Sequence, residues 1–227
     1  MKKLNIATLL CGLILFFTAC GGSTTATSVD EVETTAKSVA EGEVAIGNQV
    51  WTSKNLDVAK YRNGDSIPEV KDKSAWKKLK KGAWCYYENK AENGTKYGKL
   101  YNWFAVNDPR GLAPTGYHIP TDAEWTMLTD YLGGDSIAGT KMKSRSGWQN
   151  NGNGTNSSGF NALPGGWRLG SGDLYSIGAE GFWWSSSEND TNSVWFRYLD
   201  ERRGDVYKYY FYKQKTNDGL SVRCIKD

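Results

Sequence analysis

Histidine is almost absent: the 227 residues include one, His118. A metal site built from several imidazoles is excluded, and any Ser-His-Asp or Cys-His mechanism would have to run through that side chain. Cysteine is scarce (four) and so is proline (five). A long apolar run is missing too. The stretch Ile6 to Phe17 is about 12 residues, short of the roughly 20 that span a bilayer. Neither sign of charge dominates, with 28 Lys and Arg against 25 Asp and Glu. A near-neutral chain carries no nucleic-acid footprint. The one dense basic cluster, Lys71 to Lys81, reads as a solvated surface segment.

Aromatics are plentiful, with 10 Trp, 13 Tyr and 7 Phe beside 26 Gly. The front end has its own grammar. Two lysines, a short apolar core and small residues before Cys20 describe a secretory leader over residues 1–19. Phe17-Thr18-Ala19-Cys20 resembles a bacterial lipobox, with Phe17 where Leu is usual. Cys20 is then the lipidated N-terminus and the membrane contact. Residues 20–43, rich in Thr, Ser, Ala, Glu and Gly, form a disordered tether, because they cannot bury enough apolar surface to offset chain entropy. The expected location is the bacterial cell envelope, as an outer-membrane lipoprotein facing the periplasm or the surface. Loss of the leader removes Lys2 and Lys3, leaving 26 basic and 25 acidic residues.

Cys11 leaves with the leader, so Cys85 and Cys224 remain. Export to an oxidising compartment makes a Cys85–Cys224 disulfide the simplest use of an even pair. The alternative is two free thiols acting as copper ligands or nucleophiles.

Residues 44–227 read as one folded domain. Ala45 to Thr52 suggests a hairpin around Gly47-Asn48, and Asp72 to Lys80 a short helix. Trp84 to Tyr87 suggests a strand and Asn93-Gly94 a turn. Gly98 to Val106 is apolar enough for strand or helix. Thr121 with Glu124 forms a capping box, and Trp125, Leu128 and Leu132 share one face of a helix over 122–132 that Gly133-Gly134 ends. Residues 150–159 lack apolar side chains and read as a surface loop. The end is β: a strand from Gly181 to Ser186, a hairpin over 193–212 turning at Glu201 to Gly204, and a last strand over 220–225. Strands, central helices and more strands give an α+β domain.

These segments carry a resemblance. Tyr97 to Val106, Ala113 to Trp125, Asn156 to Arg168, Gly181 to Ser186 and Ser221 to Cys224, in that order, resemble the Fibrobacter succinogenes major paralogous domain over roughly 45–227. His118 to Trp125, Gly165-Gly166-Trp167 and Ser221-Val222-Arg223 are similar to stretches of formylglycine-generating enzymes. The resemblance implies a C-type-lectin-like fold: a twisted antiparallel sheet, one or two helices and long loops. Enzymes of that group use a copper-binding cysteine pair, and related sulfoxide synthases a three-histidine iron site. One histidine and two widely separated cysteines point away from both, so the expectation is a binding protein without cofactor, metal or catalytic residue.

The partners expected are a polysaccharide or a cell-surface protein. Sugar recognition needs flat aromatic faces with amides and carboxylates beside them. Trp148 with Gln149, Asn151 and Asn153 offers this on the long loop. Glu188, Asn189 and Asp190 offer it after the Trp-Trp-Ser-Ser-Ser strand. The tripeptides of calcium-dependent lectins are absent. Of Trp183 and Trp184, alternation sends one into the core and one outward. A purely adhesive reading rests on Tyr207, Tyr209, Tyr210 and Tyr212 as an exposed patch.

Overall fold

The computed structural model describes residues 39–212 and 217–227. The expected leader, Cys20 and the expected tether as far as residue 38 lie outside them. The first strand among the described residues begins at Glu43, one residue before the expected domain boundary. Strand β1 (Glu43–Ile46) pairs with β2 (Gln49–Thr52) in the anticipated hairpin, Ile46 opposite Gln49. The Glu43 carboxylate is held by the Lys226 ammonium and the Tyr117 hydroxyl, so residue 43 is part of the folded sheet.

Two open sheets lie among the described residues. The smaller has the order β1-β2-β12-β5, where β5 is Tyr117–His118 and β12 is Ile225–Lys226. The larger runs β10-β9-β8-β6-β11-β4-β3 with β7 attached to β6. Its strands are β3 (Trp84–Cys85), β4 (Leu100–Asn102), β6 (Gly165–Arg168), β7 (Leu174–Ile177), β8 (Glu180–Asp190), β9 (Ser193–Asp200), β10 (Tyr207–Tyr212) and β11 (Gly219–Leu220). The pairing is antiparallel except between β6 and β8. Sheets with few helices make an α+β architecture. No helix among the described residues is long and apolar enough to cross a membrane.

Five short α-helices and a 3-10 turn at Tyr87–Asn89 lie among the described residues. Helix α1 (Lys73–Lys77) is capped by the Asp72 carboxylate, which accepts from the Ala75 amide at 2.7 Å. Helix α2 (Ala91–Tyr97) takes up Asn93-Gly94, where a turn was expected. Gly98 to Val106 is both things: β4, then α3 (Trp103–Val106), with the Asn102 side chain capping the change. Helix α4 (Asp122–Tyr131) has both halves of its capping box. Helix α5 (Asp135–Met142) has no sequence periodicity to announce it. Gly139 lets it lie against the 204–205 backbone, where a Cβ would stand 2.6 Å from two carbonyl oxygens.

Strand β8 is covered on both faces. Trp184 enters a cluster with Tyr101, Trp103 and Phe196, while Trp183 enters another with Trp51, Trp125 and Phe160. Both indoles are at most 1% exposed. Alternation separates them as expected, but neither faces solvent.

The expected disulfide does not form. Cys85 and Cys224 are free and buried. Cys85 fills a cluster with Trp76 and Leu100, and Cys224 a different one with Trp184 and Val222. Each acts as a small apolar side chain. Burial pushes the Cys85 thiol up to about 11 and the Cys224 thiol to about 12, so neither is a ready nucleophile.

Cations inside the protein hold its loops. Arg168 is 1% exposed, stacks on Trp76 and donates to the Val70, Lys71 and Gly172 carbonyls. Lys143 is buried and donates to the Asp200 and Arg203 carbonyls, fixing the turn after β9. Arg223 donates to the Thr52, Phe160 and Asn161 carbonyls and to Asn55 Oδ1. A buried donor set must be satisfied, and backbone carbonyls of irregular segments need partners in return.

Candidate functional site

The expected ligand residues do not converge. Trp148 is 4% exposed, and its indole N–H is shared by Ser144 Oγ and the Ala162 carbonyl, both at 3.1 Å. It is a core side chain, not a stacking platform. The loop after it is tied inward. Asn153 Oδ1 accepts from the Trp148 amide, and the Gly154, Thr155 and Asn156 amides donate to carbonyls of residues 140–144. Gln149 lies against Ile177 and Gly178, and Asn151 is exposed with a positive φ. Asn189 Nδ2 donates to Ser193 Oγ, and Asp190 Oδ1 accepts from the Asn192 amide, so both shape the β8–β9 turn.

Glu188 is different. It lines a groove of about 510 Å³ between the 79–82 turn, α3 with the Asn107–Pro109 turn after it, and Asn217. Local sequence builds each wall. The cap at Asn102 turns the buried strand β4 into α3. From Gly98 to Val106 every residue is buried except Phe104, which is half-buried and lines the groove. Asp108 stands beside it, held by Arg110: Nε donates at 2.9 Å and a terminal nitrogen at 2.8 Å. Those hydrogen bonds keep the Asp108 carboxyl below its ordinary range. Arg110 is itself fixed by Asp65 and by stacking on the Tyr61 ring. Asn217 is pinned through its carbonyl, which accepts from the Trp76 indole at 2.6 Å, and through its amide on the Lys77 carbonyl. The exposed Lys80 and Lys81 form the rim. An aromatic face, two carboxylates, two amides and two ammonium groups can engage a polar, hydroxyl-rich molecule.

Of the groove's lining, only Glu188 is among the residues the sequence pattern points to. The basic run ending at Lys81 was visible but reads as plain surface. Phe104 could have been suspected only as the odd member of an apolar run, which needs the burial of its neighbours to be known.

The tyrosine patch divides. Tyr209, Tyr210 and Tyr212 are exposed, but alternation along β10 sends Tyr207 and Tyr209 to one face and Tyr210 and Tyr212 to the other. Tyr207 stacks on Tyr198 at 4.5 Å, and Tyr210 meets Trp195 edge-on.

His118 bridges two carboxylates, Asp227 at 2.7 Å from Nδ1 and Glu124 at 2.8 Å from Nε2. Burial pulls the imidazole down, but the hydrogen bonds to Asp227 and Glu124 outweigh it and raise it above its ordinary 6.5. A raised folded value means the bridge contributes stability fully below about pH 6.5. That contribution fades as pH rises through the folded value. The ring is over a third exposed, so screening holds the effect to about 0.5–1 kcal/mol. His118→Gln is expected to remove this slope from urea midpoints measured between pH 5.5 and 8.5. A slope unchanged in the variant would assign the effect elsewhere.

The family described as Fibrobacter succinogenes major domain matches residues 44–226. No curated protein and no solved structure matches the chain.

Proposed function

The chain belongs to the Fibrobacter succinogenes major domain family, and from that premise we propose that it is an exported, lipid-anchored binding protein whose groove takes carbohydrate. The observation that carries this is Phe104. Phe104, the half-buried member of a buried run, lines with its neighbour Trp103 a groove whose walls hold Asp108, Glu188, Asn107 and Asn217. A pyranose ring offers an apolar face to stack and hydroxyls to bond to such groups. The volume lies within the usual range for ligand sites, about 300–1,000 Å³. A C-type-lectin-like fold is consistent with the open, mostly antiparallel sheets and few helices. Binding rather than catalysis is supported by thiols that are buried in separate clusters and by a lone histidine engaged at both nitrogens.

A glycan array tests the reading. The protein is expected to bind one polysaccharide class, and Phe104→Ala is expected to weaken that binding at least tenfold with little change in melting temperature. Equal binding by the variant, or no glycan bound at all, would sink the groove reading and favour a protein partner.

The anchor rests on residues 1–20. Cys20→Ala is expected to move the protein from the membrane to the soluble fraction of lysed cells. Unchanged membrane association would contradict a lipid at Cys20.

A further inference from the structure

We propose a second binding site, for a compact oxyanion, in the cleft lined by Lys54, Asn55, Thr95, Lys96 and Asn161. The cleft has a volume of about 230 Å³ and shares no lining residue with the groove. It sits where the chain leaves β2 and where α2 ends.

Its charge is one-sided. Lys54 and Lys96 are exposed and form no ion pair among the described residues. One carboxylate, Asp57, also lines it, and the buried Lys99 ammonium already holds that group at 2.6 Å. The Asn161 side-chain amide has no hydrogen bond among the described residues, while its backbone N–H and C=O are both engaged.

A second observation lies behind the wall. Arg223 is 1% exposed, and no carboxylate pairs with it among the described residues. Its acceptors are neutral: Thr52 O at 2.6 Å, Phe160 O at 2.7 Å, Asn161 O at 3.0 Å and Asn55 Oδ1 at 2.8 Å. Buried charges are ordinarily matched by an opposite charge. Two of these acceptors, Asn55 and Asn161, are themselves walls of the cleft. A fixed positive charge therefore lies one residue layer behind it, and two lysines stand at its lining. An anion there would supply the missing counter-charge and take charge-assisted hydrogen bonds.

The walls are rigid enough to be a site. Asn55 also donates to the Tyr97 carbonyl at 2.8 Å and accepts from the Trp183 indole at 2.9 Å. Gly98 lets the end of α2 pack against the 55–56 backbone, where a Cβ would stand 2.8 Å from the Leu56 carbonyl oxygen. The shared chemistry is a phosphate, sulfate or carboxylate group, free in solution or carried on an acidic sugar.

The purified protein is titrated calorimetrically at low ionic strength with inorganic phosphate, with sulfate and with glucuronate, and with chloride as the ionic-strength control. Saturable binding of at least one is expected, weakening with added salt. The Lys54→Gln/Lys96→Gln double variant is expected to bind at least tenfold more weakly. Both lysines are exposed, so its melting temperature without ligand should match the parent. Binding of phosphate or sulfate without glucuronate identifies a free oxyanion, and binding of glucuronate identifies an acidic sugar. No saturable binding of any of the three, or binding unchanged in the double variant, overturns the proposal.

Discussion

Arg223→Met is expected to destabilise the protein by about 3–5 kcal/mol in urea unfolding, enough to leave a substantial unfolded fraction at 37 °C. The guanidinium is buried and serves four acceptors from three chain segments: Thr52, Asn55, and the Phe160-Asn161 pair. Methionine fills much of the volume and satisfies none of them. Each orphaned carbonyl costs about 1–3 kcal/mol when it stays dry, and partial hydration lowers the sum. The stack on Phe160 at 4.3 Å is lost as well. Removing a buried charge returns some desolvation energy, which keeps the net loss below the sum of its contacts. Arg223→Lys keeps the charge but not the forked geometry, and should recover only part of the loss. An Arg223→Met variant within 1 kcal/mol of the parent would show that these segments are held by other contacts.

Trp125→Ala should cost about as much, roughly 3–5 kcal/mol, through a different term. The indole is fully buried at the start of α4. It stands 4.9 Å from Trp51 and 5.8 Å from Phe160, joining the helix to the small sheet and to the loop after residue 159. Its N–H donates to the Trp184 carbonyl at 3.3 Å, tying the helix to β8 as well. Alanine leaves a cavity where three elements meet, and a packed interior closes such a cavity only in part. Trp125→Phe keeps most of the ring contact and should lose about half as much. Equilibrium unfolding with matched slopes would measure both. Equal stability of the Ala and Phe variants would mean the site collapses freely.

These two residues also mark what the sequence made legible. Trp125 was readable because Thr121 and Glu124 announce a helix start, and because Leu128 and Leu132 repeat its face. The hairpin at Gly47-Asn48 and the β9–β10 turn were readable for the same reason: local turn chemistry agrees with the apolar runs beside it. Arg223, Arg168, Lys99 and Lys143 were not readable as interior groups. Charged side chains in a sequence read as surface, and only the assembled loops show carbonyls waiting for them. The pair Trp183-Trp184 was read correctly for direction and incorrectly for exposure, because a second layer covers the face expected to meet solvent. The cysteine pairing failed for a related reason. An even count says nothing about distance, and the two thiols belong to different clusters.

The candidate site was less legible than the fold. Its walls come from residues 79–82, 103–109, 188 and 217, four segments with no common motif. Glu188 was reachable because it lies late in β8, just after the Trp-Trp-Ser-Ser-Ser run. The Trp148 loop was misleading because its amides and glycines are used to pack it inward. Gly152 lies so close to Glu201 that a Cβ would stand 2.2 Å from the carbonyl oxygen.

The most direct test of the groove is a map of where a bound glycan acts. Amide chemical shifts of the labelled protein, titrated with the polysaccharide that the array identifies, should move at residues 80–82, 104–108 and 188. Amides of 149–153 should stay still. Shifts confined to 149–153, or spread along the β10 tyrosines with none around Phe104, would contradict the account.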